Sequence, residues 1–256
     1  ALLALPALAA PVPGKAAIAS AHPLATEAGM EILARGGNAF DAAVAVSAAL
    51  AVVEPNGSGP GGGGFYLLHR AADGRQVVVD AREVAPAAAT RDMFLDAAGN
   101  PIEGLSTRHA MAAGIPGEPA GWQHLATHYG RLPLATSLAP AIRLAREGFV
   151  IDAAMRNDLD RTLRDEGHLE KPRSEFARTY LMNGGAPPVG HRLRLPDLAR
   201  SLGVLAHGGA DAFYRGAFAR KLVRGVRELG GIWTLEDLAG YRVVERAPVV
   251  AAYRGL

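Results

Sequence analysis

The stretch Asn56-Gly57-Ser58-Gly59-Pro60-Gly61-Gly62-Gly63-Gly64-Phe65 carries six glycines between a segment that reads as a helix and one that reads as a strand. Glycine loses more backbone freedom on folding than any other residue, so a run of it in ordered structure has a cause. The backbone must either adopt φ > 0 repeatedly or approach something closely. Upstream, residues 39–53 are apolar almost all round and rich in alanine, the pattern of a buried helix that lets neighbours pack close. Glu54-Pro55 ends it. Downstream, 65–69 and 76–81 read as strands, joined over 71–75 by a turn that contains Asp73-Gly74.

Before the buried helix, Leu24, Ala28 and Ile32 fall four apart over 23–35, one stripe of an amphipathic helix. Pro23 suits its first turn and Gly36-Gly37 its stop. The order is therefore helix, buried helix, glycine loop, hairpin. The rest reads as mainly helical, over 119–129, 134–147, 152–164, 196–207 and 217–229. A short last helix is opened by Thr234, where Thr234-Leu235-Glu236-Asp237 has capping-box spacing with Asp in place of Glu. Strand character returns over 241–253. With no repeat, linker or composition break, residues 15–256 read as one α/β (α+β) domain, mostly helical in its second half.

At 256 residues the chain can bury a large core. Its formal charge of +2, with lysine only at Lys15, Lys171 and Lys221 and no basic run with interleaved aromatics, is too small to suggest a nucleic-acid partner, and none is expected. It has no cysteine, which excludes disulfides, thiolate metal sites and a cysteine nucleophile. Residues 1–14 open on an apolar run in which Ala7-Leu8-Ala9 fits the small-x-small pattern before a cleavage site. They are expected to be the remnant of an export signal, which points to a periplasmic or secreted protein. No later segment has the apolar length of a membrane span.

Gly57-x-Gly59-x-x-Gly62 matches the spacing of a dinucleotide fingerprint, but that site needs a strand before the glycines and a helix after them. Here the order is reversed. Ser58 is not in a Gly-x-Ser-x-Gly elbow, because Asn56 holds the first glycine position. His124 and His128 stand four apart on an expected helix, without the carboxylate or third ligand of a metal site. Neither a cofactor nor a metal is expected. Arg82, at the end of the second hairpin strand, is the position where a ligand could meet both a side chain and exposed backbone. A guanidinium fork suits a carboxylate. The neighbouring Glu83 leaves a structural ion pair as the alternative.

Many short motifs share one order with a known family. They include Ala19-Ser20-Ala21-His22-Pro23-Leu24-Ala25, Gly36-Gly37-Asn38-Ala39-Phe40-Asp41-Ala42-Ala43, the glycine run before Phe65, and Arg82-Glu83-Val84-Ala85-Pro86. Gly114-Ile115-Pro116-Gly117, Ala145-Arg146-Glu147-Gly148-Phe149, Phe213-Tyr214-Arg215-Gly216, Gly230-Gly231 and Asp237-Leu238 follow. Over nearly all residues after 15 the chain resembles the large subunit of γ-glutamyltransferases.

The resemblance implies an N-terminal-nucleophile hydrolase with a four-layer αββα sandwich, made as a precursor that cleaves itself into two subunits. In that family the new N-terminal threonine of the small subunit attacks a γ-glutamyl amide such as glutathione, and water or an amine resolves the acyl-enzyme. The arginine of the Arg-Glu-x-Ala-Pro motif, here Arg82, would bind the α-carboxylate of the γ-glutamyl substrate. The nucleophile would lie beyond Leu256, so no catalytic residue is expected in these residues. They would form an incomplete sandwich, a partial large-subunit domain inactive without its own small subunit. Two other readings stay open: a β-lactam side-chain acylase or poly-γ-glutamate-processing relative, and a non-catalytic fragment or assembly module.

Overall fold

A computed structural model describes residues 15–166 and 175–254. Helices α1 (Pro23–Ala34) and α2 (Ala39–Val53) are followed by strands β1 (Gly64–Arg70) and β2 (Arg75–Ala81). After a long irregular stretch come α3 (Glu118–His128), α4 (Leu134–Glu147), β3 (Phe149–Val150), α5 (Ala153–Glu166) and α6 (Glu175–Tyr180). The chain continues through β4 (Arg192–Leu193), α7 (Pro196–Tyr214), α8 (Gly216–Glu228), α9 (Leu235–Gly240) and β5 (Val244–Arg246).

Helix α2 is the hub. Val44, Ala45, Ala48, Ala49 and Val52 are fully buried, and α1, α3 and α4 pack around it. Small residues allow this closeness: a methyl at Gly29 of α1 would lie 2.7 Å from Val46 of α2. A reciprocal cap starts the helix. Asn38 Oδ1 accepts the N–H groups of Phe40 and Asp41, and Asp41 Oδ2 accepts that of Asn38 at 2.9 Å. Buried Asp41 also accepts the Arg131 and Leu132 N–H groups, which ties the α3–α4 turn to the start of α2.

Strands β1 and β2 form an antiparallel hairpin, and β5 pairs with the far edge of β2, giving the order β1-β2-β5. Strand alternation splits the sheet into two faces. Leu68, Val77, Val79 and Ala81 are buried on the helical layer. Phe65, Leu67 and Val244 stand exposed on the other face, at 64%, 70% and 44%. One helical layer and one sheet layer of the expected sandwich are therefore present among the described residues, with the second sheet face uncovered.

The expected elements form within a residue or two of their bounds, with three differences. The strand expected over 241–253 is ordered only as Val244–Arg246, and Val249 is 99% exposed, because its apolar residues meet no partner among the described residues. The helix expected to end at 207 runs on to Tyr214, but it breaks at Gly209, whose φ of 64° is the left-handed region that glycine tolerates. The two-residue pair of β3 with β4 and the short α6 are additions. Thr234 caps α9 as expected: its hydroxyl accepts the Asp237 N–H at 3.1 Å. The export-signal reading of 1–14 lies outside the described residues.

Candidate substrate-binding site

The glycine loop, the end of β2 and the start of α3 enclose a cleft of about 570 Å³. Gly57 to Gly63, Arg82, Glu83, Ser47 and Glu118 line it, with Tyr180 of α6 and Leu198 of α7 on its wall. None of the loop glycines has a positive φ. Close approach is the operative reason, and it acts at Gly63, where a Cβ would lie 2.3 Å from the Ala81 carbonyl oxygen and 2.9 Å from Arg82 Cα. At Gly57, Gly59 and Gly61 an added Cβ would meet nothing within 4 Å. Those three positions border the cleft, so the missing side chains leave it open.

Arg82 is fixed through its backbone. Its N–H donates to Asp80 Oδ1 at 3.1 Å, and its carbonyl accepts the Tyr241 hydroxyl at 2.8 Å. The guanidinium reaches back over the loop, with Nη1 donating to the Gly63 carbonyl at 3.4 Å and Nε 3.2 Å from Glu83 Oε2. The side chain keeps 53% of its surface exposed, which leaves donors for an anion from solution. Arg82 is thus both ion-paired with Glu83 and part of the cleft lining.

Under the loop lies a buried polar cluster that sequence reasoning missed. The N–H groups of Gly117 and Glu118 donate to the Gly62 carbonyl at 2.8 and 3.0 Å, pinning the first turn of α3 against the loop. Trp122 Nε1 donates to Ser47 Oγ at 2.9 Å, and the Ser47 hydroxyl donates to Glu118 Oε1 at 2.5 Å. The Tyr66 hydroxyl donates to the same carboxylate oxygen. Burial, and next the Glu118 charge, push the Tyr66 phenol well up, so it remains a neutral donor. The sequence signal was slight: Glu118 directly follows the Pro116-Gly117 step, and Ser47 is the polar residue of α2 beyond Asp41 in its first turn.

The cleft offers a guanidinium, the Glu83 and Glu118 carboxylates and open backbone; among the described residues no histidine lines it. Such a lining can hold a charged small molecule. His124 and His128 do share a face, with rings stacked at 4.2 Å, but they lie elsewhere. His124 Nε2 pairs with Glu245 Oε1 at 3.0 Å, and that carboxylate also accepts the Tyr129 hydroxyl. Among the described residues no group of three metal-ligating side chains converges, and no helix is long and apolar enough to cross a membrane.

A family model described as gamma-glutamyltranspeptidase matches residues 25–256. The chain is 42% identical over 239 residues to the glutathione hydrolase proenzyme of Escherichia coli K12, covering 93% of this chain and 40% of that protein. It is 39% identical to the acylase ACY 1 proenzyme of Pseudomonas sp. SE83, over 91% of this chain and 42% of that one. The crystal structure of Helicobacter pylori gamma-glutamyltranspeptidase superposes with a TM-score of 0.88 at 38% identity, over 96% of this chain and 70% of that chain. The chain thus spans about two fifths of the length of the curated relatives it matches.

Proposed function

Because this chain belongs to the gamma-glutamyltranspeptidase family, we propose that it supplies the large-subunit side of an enzyme that cleaves γ-glutamyl amides such as glutathione. The γ-glutamyl group passes to water or to an amino acid or peptide acceptor. Arg82 takes the α-carboxylate of that group through its guanidinium fork. The observation that carries the assignment is the half-exposed guanidinium beside a glycine loop whose open positions border the same cleft. The proenzyme names of the relatives support a precursor that divides into two subunits. In this reading the second subunit brings an N-terminal threonine. Its hydroxyl attacks the γ-carbonyl, its own amino group takes the proton, and the leaving amine departs protonated. Residues 15–256 act as one domain of that assembly. The small-x-small motif at Ala7-Leu8-Ala9 supports export to the periplasm or the medium.

The test is substitution of Arg82 in the full-length enzyme. Arg82→Ala leaves a substrate carboxylate without its cation and is expected to cost about 2–5 kcal/mol in kcat/KM, roughly 30- to 5,000-fold. Arg82→Lys keeps the charge without the fork and is expected to remain poor. Wild-type kcat/KM in both variants removes Arg82 from the site. A second reading, side-chain acylase activity, draws on the acylase relative. Faster cleavage of a glutaryl amide than of a γ-glutamyl anilide would favour it. A third, a non-catalytic binding or assembly module, would be favoured by a monodisperse, cooperatively folding chain that binds a specific ligand without turnover.

A further inference from the structure

Glu118 is 8% exposed, and no basic side chain lies within salt-bridge distance of it among the described residues. A buried charge is costly unless it is paired and hydrogen-bonded. Here the hydrogen bonds are in place and the pairing is not. The Trp122 N–H occupies the Ser47 oxygen, so the Ser47 proton is directed at Glu118 Oε1. The Tyr66 hydroxyl arrives at the same atom. Two donors fixed by packing therefore converge on one oxygen. The residue also stands in the first turn of α3, at the positive end of the helix dipole. Oε2 accepts no hydrogen bond among the described residues, yet it is not among the sealed, unpartnered atoms of the interior; it is the oxygen left to the cleft.

We propose that Glu118 is an anionic seat for a primary ammonium in the cleft, set across glycines 62–64 from the cationic Arg82. Both residues line the cleft. The Arg82 Nη1 donates to the Gly63 carbonyl, the Glu118 N–H to the Gly62 carbonyl, and Glu118 Oε2 lies 3.4 Å from where a Gly64 Cβ would stand. The site thus holds opposite charges on two sides of one thin, side-chain-free strip of backbone, the pattern that suits a zwitterion or a carboxylate delivered beside an amine. Two sources carry this chemistry: the ammonium of an amino-acid substrate, and the amino terminus created when a proenzyme is cleaved. The proposal rests on the γ-glutamyl reading for the nature of those sources.

The experiment uses Glu118→Gln in the full-length, processed protein, with calorimetric binding of L-glutamate and of glutarate, the same diacid without the ammonium. If the substrate supplies the ammonium, glutamate binding weakens about tenfold or more while glutarate changes less than about twofold. If the new amino terminus supplies it, neither ligand changes. The pH at which that amine becomes reactive toward cyanate then falls by about half a pH unit, because the ammonium loses its counter-charge. Either result supports the seat; unchanged ligand binding with unchanged amine reactivity overturns it. Should Glu118→Gln fail to fold, Glu118→Asp keeps the charge and draws it back by one carbon. The glutamate-to-glutarate preference or the amine reactivity must then shift severalfold, and no change again overturns the idea. Binding is read without turnover, so a protein that cleaves no γ-glutamyl amide would sink the proposed function and still leave this comparison decisive.

Discussion

Substituting Gly63 by alanine tests whether the glycine loop is set by close approach. The added methyl would stand 2.3 Å from the Ala81 carbonyl oxygen and 3.0 Å from the Arg82 carbonyl carbon, all backbone atoms that cannot swing aside. An ordinary carbon–oxygen contact is about 3.3 Å or more, so the loop and the end of β2 must separate by about 1 Å. That movement overpacks a closed junction, at about 1–3 kcal/mol. It also strains the Gly64–Ala81 strand pair and the two N–H bonds from the first turn of α3 to the Gly62 carbonyl. Each such bond lost adds about 0.5–1.5 kcal/mol. The expected total is about 2–5 kcal/mol. Urea unfolding followed by the fluorescence of the buried Trp122 and Trp233 measures it. Gly61→Ala is the internal control: nothing lies within 4 Å of its added methyl, so its stability is expected within about 0.5 kcal/mol of wild type. Equal midpoints for Gly63→Ala and Gly61→Ala would refute the close-approach reasoning.

Asp41→Ala removes the acceptor for the N–H groups of Asn38, Arg131 and Leu132 inside the core. At about 1–3 kcal/mol per orphaned group, a loss of 3 kcal/mol or more is expected in the same unfolding assay. Asp41→Asn, which keeps one carbonyl oxygen, should lose less; equal losses would show that the cap's hydrogen bonds are not what matters. Glu245 links β5 to Tyr129, His124 and Arg75, and hydrogen bonds from Tyr129 and then His124 hold its carboxyl below the ordinary glutamate value, against a smaller effect of burial. A depressed carboxyl stabilises the fold above its unfolded value, and that contribution is lost as pH falls through the folded one. Wild type should therefore lose its advantage over Glu245→Gln on acidification below the ordinary value of 4.5. A stability gap that stays constant between about pH 6 and 3 would show that the interaction carries no such linkage.

Much of the fold is visible in short stretches. The bounds of α2 and α4 coincide with the segments read from composition and periodicity, and the Thr234 cap needs only four consecutive residues. The hairpin turn at Asp73-Gly74 is likewise local, with Gly74 at φ 68°. Elements stabilised by partners distant in sequence are the ones that escape such reading. Strands β3 and β4 have two residues each, too few to show alternation, and exist because Phe149 pairs with Leu193. The valines near the chain's end have strand character without ordered strand, because propensity forms a strand only where a neighbour supplies hydrogen bonds. Arg82 was a candidate in sequence because it ends a strand near the glycine loop and falls in the Arg-Glu-x-Ala-Pro motif of the family. Ser47, Tyr66 and Trp122 were not, since in sequence they look like ordinary members of a buried helix, a strand and an amphipathic helix.

By itself the sequence determined the order of elements, the buried character of α2, the demand for glycine before β1, the family likeness and the candidacy of Arg82. These depend on side-chain size, periodicity and caps that act within a few residues. Only the tertiary structure decided which glycine of the loop is obligatory, and it is Gly63, where the Ala81 carbonyl passes. It also brought Ser47, Tyr66, Arg82 and Glu118 to one loop. Those residues sit on three elements and a strand end that meet only in the folded chain, and the Glu118 carboxylate becomes a feature of the cleft only once folding has removed it from water with no cation beside it among the described residues.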